Sequence, residues 1–347
     1  GTMINYVVRR TLLAALTVLV ISFVSFVIAQ LPEGDLADQF YDLVYSEFGQ
    51  PAPDEQTMRE FRENNGLDDP VVVQWWSWIY KIIIKGDFGK SYTLVGGPDA
   101  TGTPVINSIK EYLPYTIYLS IFTIVITWVF AIPIGIYSAV RQNSLGDYIF
   151  TFIGFTGLAV PDFLLGLVLM YVFFAYFDHS VGGIFSGEYL GAPWSVGRVM
   201  DMLQHLIIPG IVLGTAGTAG LIRIMRNNLL DELSKPYVVT AYAKGLPSWR
   251  VTLKYPLRLA INPFISGIGG MLPGLVSGSA IVSIVLGLPT LGPVLLEATM
   301  VQDGPLLAAG ILMLSALTVV GTLISDLLLV VVDPRIKLTG SARGGSG

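Results

Sequence analysis

The chain has 347 residues, of which 53% are hydrophobic and only 13% charged, and its mean hydropathy is +0.66. Too few polar side chains are available to coat a soluble domain, so the composition is that of a polytopic membrane protein. A net charge of -5 with dispersed basic residues argues against a nucleic-acid partner, and the lack of cysteine excludes disulfides and thiolate metal sites.

Backbone inside a bilayer must satisfy its own hydrogen bonds, and the apolar runs here far exceed the roughly 10-residue alternating strands of an outer-membrane barrel. The expected fold is therefore an all-α membrane bundle. Six runs, near 4–31, 113–140, 148–177, 205–228, 261–287 and 304–332, are long enough to cross a hydrocarbon core, which takes about 20 helical residues. In the first, Arg9 and Arg10 precede an apolar stretch from Thr11 to Ala29. It outruns a signal-peptide core of about 7 to 15 residues and lacks a small-residue cleavage pattern, so it is expected to stay as an anchor. Gly1-Thr2 and the Gly/Ser-rich tail after Leu338 read as linker remnants.

Between the first two spans lies a long loop, 32–112, with an excess of acidic residues. Loops of this size usually carry folded structure. Its piece Val71 to Lys85, VVVQWWSWIYKIIIK, mixes Trp75, Trp76, Trp78 and Tyr80 with aliphatics and lysines. That mixture suits a helix lying at the membrane surface; tryptophans that stack on sugars are the alternative. Gly89-Lys90-Ser91 mimics the end of a phosphate-binding loop, but Ile84 stands where its first glycine belongs. No HExxH, GxSxG or paired-carboxylate pattern occurs in a plausible site, which argues against an enzyme.

Two acids fall in apolar runs, Asp162 after Pro161 and Asp326 in the last run, each costing about 2.5 to 3.5 kcal/mol near a helix centre. Asp162 either lines a polar pathway or makes a structural hydrogen bond; Asp326 either pairs with a neighbouring helix or does the same. His179 and His205 are read as residues near span ends rather than metal ligands. In the fourth run Gly210 and Gly214, and in the fifth Gly270, Gly274 and Gly278 beside Pro273 and Ser277, form small-residue faces. Such faces allow close helix packing, or form a pathway wall that slides or kinks during transport.

The polar stretch from Asp231 to Arg258 interrupts the apolar sequence. Pro236 suits a first helical position and Gly245 a left-handed residue that ends a helix, which predicts a helix from Pro236 to Lys244. Ala241 and Gly245 are expected to present a small surface to another protein, so that Ala241→Trp or Gly245→Trp would spare folding and uncouple the partner. Arg9, Arg10, Arg141, Arg223, Arg226, Lys235, Lys244 and Arg250 fall on one side of the expected topology, whereas the two short opposite loops hold only Arg198. The asymmetry predicts cytoplasmic N- and C-termini. The expected organisation is a first span over 1–31, an external insertion over 32–112, a five-helix core over 113–332 with a cytoplasmic loop over 229–260, and a tail over 333–347.

Four segments carry a resemblance: Gly86-Asp87-Phe88-Gly89 with Thr103-Pro104-Val105, Ala241 through Leu246, Leu286-Gly287-Leu288-Pro289 with Leu291-Gly292, and Asp333-Pro334-Arg335-Ile336. In this order they resemble permease subunits of ATP-binding-cassette importers of the oligopeptide/dipeptide class. The resemblance implies a multi-pass protein of the cell membrane with a second homologous permease subunit, two ATPase subunits and an extracytoplasmic substrate-binding protein. It implies ATP and Mg on the ATPases and no cofactor on this chain. It also implies peptides as cargo, with oligosaccharides or metal chelates as the alternative; a self-contained secondary transporter is the rival from another class. The implied ATPase-coupling residues are Pro236, Thr240, Ala241, Lys244, Gly245 and Leu246, with Val239, Thr240 and Ala241 standing at the family's E-A-A positions. Path candidates are Asp162, Gly270, Gly274, Ser277 and Gly278.

Overall fold

The computed structural model describes residues 2–42, 45, 51, 53–93, 102–177 and 181–332. Its helices are α1 (Thr2–Ala29), α2 (Leu36–Asp42), α3 (Glu55–Asn65), α4 (Val71–Lys85), α5 (Val105–Val140), α6 (Leu145–Ala159), α7 (Asp162–Phe177) and α8 (Val196–Leu233). Then follow α9 (Pro236–Ala243), α10 (Ser248–Lys254), α11 (Pro256–Ala260), α12 (Asn262–Leu286), α13 (Leu291–Met300) and α14 (Gly304–Val332). Two short strands, β1 (Lys90–Ser91) and β2 (Thr103–Pro104), pair antiparallel with Lys90 opposite Pro104 and Ser91 opposite Thr103.

Among the described residues α1, α5, α8, α12 and α14 are each long and apolar enough to cross a membrane. The run expected as one span over 148–177 is instead two helices, α6 and α7, bent by 105°. Pro161 explains the break. It has no N–H for the ladder and forces Val160 into an extended conformation, φ -90° and ψ 125°. Counted together, the bent pair completes six spans. The fourth span also runs longer than its apolar core, since α8 has 38 residues, about 57 Å of helix.

The chain divides into two compact units. One comprises Gly1–Thr11, Tyr118–Leu288 and Val320–Gly347. Small residues set its helix spacing. A Cβ on Gly210 would stand 2.8 Å from the Phe122 ring, on Gly135 2.5 Å from Met225, and on Gly269 2.9 Å from the Thr322 backbone. Gly214, whose Cβ would stand 2.7 Å from Thr127 Oγ1, confirms close packing by the fourth-span glycine face. The same unit holds an ion pair at 2.9 Å between Arg10 and Asp326. The acid in the last span therefore has the partner that its apolar setting demanded.

The other unit comprises Leu12–Ile117 and Pro289–Val319. Its core gathers Phe88, Val105, Ile109, Val294, Ala298 and Leu306. Phe40 and Phe61 stack with centroids 4.7 Å apart, and Tyr92 meets both edge-on. Asp303, fully buried, caps α14 by accepting from the Leu306 N–H at 3.1 Å and receives the hydroxyls of Ser91 and Thr93. Lys90-Ser91 is thus hairpin strand, not phosphate-binding loop. The amphiphilic helix α4 packs on α1: the Trp75 indole donates to Ser22 Oγ at 3.0 Å, and Trp78 lies against Phe26 at 5.4 Å. Two of the three tryptophans are committed to this packing rather than free as a sugar platform.

Candidate functional site

Between α8 and α12 the chain makes three short helices, and the middle of this segment is built as its punctuation dictates. Lys235 is extended, Pro236 takes the first helical position, α9 lasts eight residues, and Gly245 adopts φ +75°. Pro247 then opens α10. Val238 and Ala241 form the buried side of α9, packing with Val251 of α10 and with Leu233 and Leu246. Tyr237 donates its hydroxyl to Glu232 at 2.5 Å. Burial, reinforced by that carboxylate, pushes its phenol up to about 12.

The burial corrects one expectation. Ala241 is 7% exposed and points into the segment, so it does not share an outward surface with Gly245. Its replacement by Trp would overfill a packed contact rather than spare folding. The outward side of α9 is carried by Val239, 62% exposed, with Tyr242, Thr240, Ala243 and Lys244. Thr240 keeps its hydroxyl on the Pro236 carbonyl at 3.0 Å, so it offers a methyl and little polarity. Leu246 is half-buried, whereas Pro236 and Gly245 are exposed. The helix is bald, apolar and short, backed by α10, which fits a rigid element seated in a partner's groove.

The path candidates fall in two places. Gly270, Gly274 and Ser277 are exposed and Gly278 half-buried, and a Cβ on any of these three glycines would meet nothing within 4 Å. This face of α12 is open, while the neighbouring Gly269 makes the close packing. Ser277 returns its hydroxyl to the Pro273 carbonyl at 2.9 Å. Asp162 begins α7 at the break, half-buried, with no ion pair among the described residues. One turn on, Gly166 is where α7 meets Val212 of α8 and Leu286 of α12.

Sequence reasoning missed three buried acids, Asp303 described above and two more. Asp147 binds Arg226, and Asp201 accepts from both the backbone and hydroxyl of Ser186 while its carbonyl contacts the His205 ring. Their signal was available as acids at the ends of apolar runs. No cluster among the described residues could hold a metal ion, and His179 lies outside them.

Residues 131–338 match the family described as binding-protein-dependent transport system inner membrane component, and residues 3–120 match its N-terminal region. The chain belongs to this family. Over 96% of its length the permease is 36% identical to the whole of the oligopeptide transport system permease protein AppB of Bacillus subtilis. It is 31% identical over 96% of its length, and 99% of that protein, to the glutathione transport system permease protein GsiC of Salmonella typhimurium. The permease is thus the transport subunit of an ATP-binding-cassette importer, working in a membrane-embedded complex with ATPase and binding-protein partners. Family-bearing glycines sit at turns: Gly86 and Gly287 each end a helix at φ +64°. The closing Asp333-Pro334-Arg335-Ile336 lies outside the described residues.

Proposed function

We propose that this permease forms one half of a peptide translocation path, paired with a second, homologous permease subunit and driven by two ATPase subunits that carry ATP and Mg. A substrate-binding protein delivers the peptide on the external side, where the insertion over 32–112 lies. Both termini and the loop over 229–260 face the cytoplasm. The observation that carries this reading is α9, a capped eight-residue helix whose outward side is Val239, Thr240, Tyr242 and Ala243. A displacement of the partner acts on α9 as a unit, because Val238 and Ala241 fasten it to Val251.

The names of AppB and GsiC, an oligopeptide and a glutathione permease, support a peptide cargo. The open face of α12, with Gly270, Gly274, Ser277 and Gly278, and Asp162 at the α6–α7 break are the proposed lining. The test is to purify the assembly with its binding protein and identify the retained ligand by mass spectrometry. Peptides are expected; an oligosaccharide or a metal chelate would replace the cargo while keeping the machinery. Uptake into proteoliposomes without any ATPase subunit would overturn the machinery itself.

A further inference from the structure

A groove of about 250 Å³ runs between α6 and α8, with Asn143, Tyr148, Phe150, Phe155, Ile222 and Arg223 on its walls. Its floor is closed by tight packing, since a Cβ on Gly157 would stand 2.5 Å from Thr215 and one on Gly154 3.4 Å from Ala219. Two guanidiniums enter it. Arg226 is spent on Asp147, reaching its two carboxylate oxygens at 3.2 and 3.1 Å. Arg223, one turn earlier, is exposed, lies 4.9 Å over the Phe155 ring, and has no carboxylate partner among the described residues. Two guanidiniums against one carboxylate leave the groove one positive charge.

We propose that this groove binds an anionic phospholipid, with its phosphate on Arg223 and one acyl chain along Phe155 and Leu158. The position fits a headgroup. The walls begin at Asn143, in the turn after α5 ends at Val140, and pass inward along α6 to Leu158. The flank outside the groove is apolar and exposed, with Phe152 at 72%. Acyl chains therefore reach the groove without crossing polar surface, whereas a free phosphate would leave the apolar wall unused. A zwitterionic lipid offers the same phosphate but carries a cation of its own, which cancels the phosphate's charge and leaves the groove's surplus positive charge unneutralised. Basic pockets between membrane helices recognise anionic headgroups in this way. The site is independent of the cargo.

The test is native mass spectrometry of the intact detergent-purified assembly titrated with phosphatidylglycerol or phosphatidylcholine. The wild type is expected to retain phosphatidylglycerol preferentially, and Arg223→Gln to lower that retention about fivefold, the share of one basic residue near a headgroup. Arg223→Lys should keep most of it. Equal retention of the two lipids by the wild type would overturn the proposal, and this comparison decides even where Arg223→Gln fails to assemble. So would retention untouched by Arg223→Gln, or displacement of the lipid by millimolar inorganic phosphate.

Discussion

Arg226 grips Asp147 through two nitrogens, Nε at 3.2 Å and Nη2 at 3.1 Å, and so ties the C-terminal part of α8 to the first turn of α6. Asp147 does more than neutralise it. The same carboxylate accepts the Asn143 N–H at 3.0 Å, in a turn where Asn143 is left-handed at φ 60°. The carboxylate side chain is 5% exposed and the guanidinium 24%. Removing one partner strands the other, and breaking a buried pair costs about 3 to 5 kcal/mol, with the lower value apt for a partly accessible arginine. Asp147→Asn is expected to lower the thermal midpoint of the assembly in detergent. The double change Asp147→Leu with Arg226→Leu should recover most of that loss, since no lone charge remains. A double variant no better than the single one would count against the pair as the cause.

On α9, two neighbouring choices should separate folding from coupling. Ala241→Trp forces a ring into the contact with Val238 and Val251 and is expected to destabilise the segment by about 1 to 3 kcal/mol. Val239→Asp changes an exposed side chain and leaves that contact alone. It is expected to preserve assembly yield and melting while cutting substrate-stimulated ATPase activity in proteoliposomes at least tenfold, because a charge would be buried unpaired in the partner's groove. Normal coupling in Val239→Asp would remove α9's outward side from the contact.

These residues also show what the sequence can and cannot reveal. Pro236 and Gly245 were readable because helix punctuation is local chemistry: a missing N–H and a backbone free to take positive φ. The inward turn of Ala241 was not, because its partner Val251 is set by how α10 folds back. Pro161 was visible, yet the apolar run over 148–177 masked the break, since hydropathy averages across a bend. Asp326 announced a need for a partner but not that Arg10, at the far end of the chain, would meet it at 2.9 Å. The glycine repeat of the fifth span was plain in sequence, but a repeat reads the same whether its face is packed or open.

That last ambiguity gives adjacent residues opposite fates. A Cβ on Gly269 would stand 2.9 Å from the backbone Cα of Thr322, which cannot swing aside, while one on Gly270 would meet nothing within 4 Å. Gly269→Ala is expected to push α12 from α14 and to lower stability by about 1 to 3 kcal/mol. Gly270→Ala should fold normally, and any loss of transport in it would reflect the open face itself. Melting curves of the two single variants decide between them. A Gly269→Ala protein as stable as the wild type would mean that the helices are not held at this distance.

The insertion should carry its own acid sensitivity through Asp35. Burial alone would raise this carboxyl, but the hydrogen bond and charge of Arg62, with the backbone N–H groups near Asp38 and Ala37, outweigh it and hold the group below 3.8. Arg62 sits 2.8 Å from Asp35 and 3.2 Å from Asp38, joining the start of α2 to α3. Because the folded value is depressed, the pair's contribution is fully present above the unfolded value, about 3.9, and is lost as pH falls through the folded one. Hydrogen exchange of the α2 and α3 amides is therefore expected to stay slow from pH 7 to about 5, once corrected for intrinsic rates, and to quicken below about 4. Arg62→Gln removes the cause of the depression, so it should loosen the same amides already at pH 7 and flatten the acid transition. An unchanged transition in Arg62→Gln would assign the acid sensitivity to other carboxylates, of which Asp54, capping α3 through the Thr57 N–H at 2.8 Å, is the next in line.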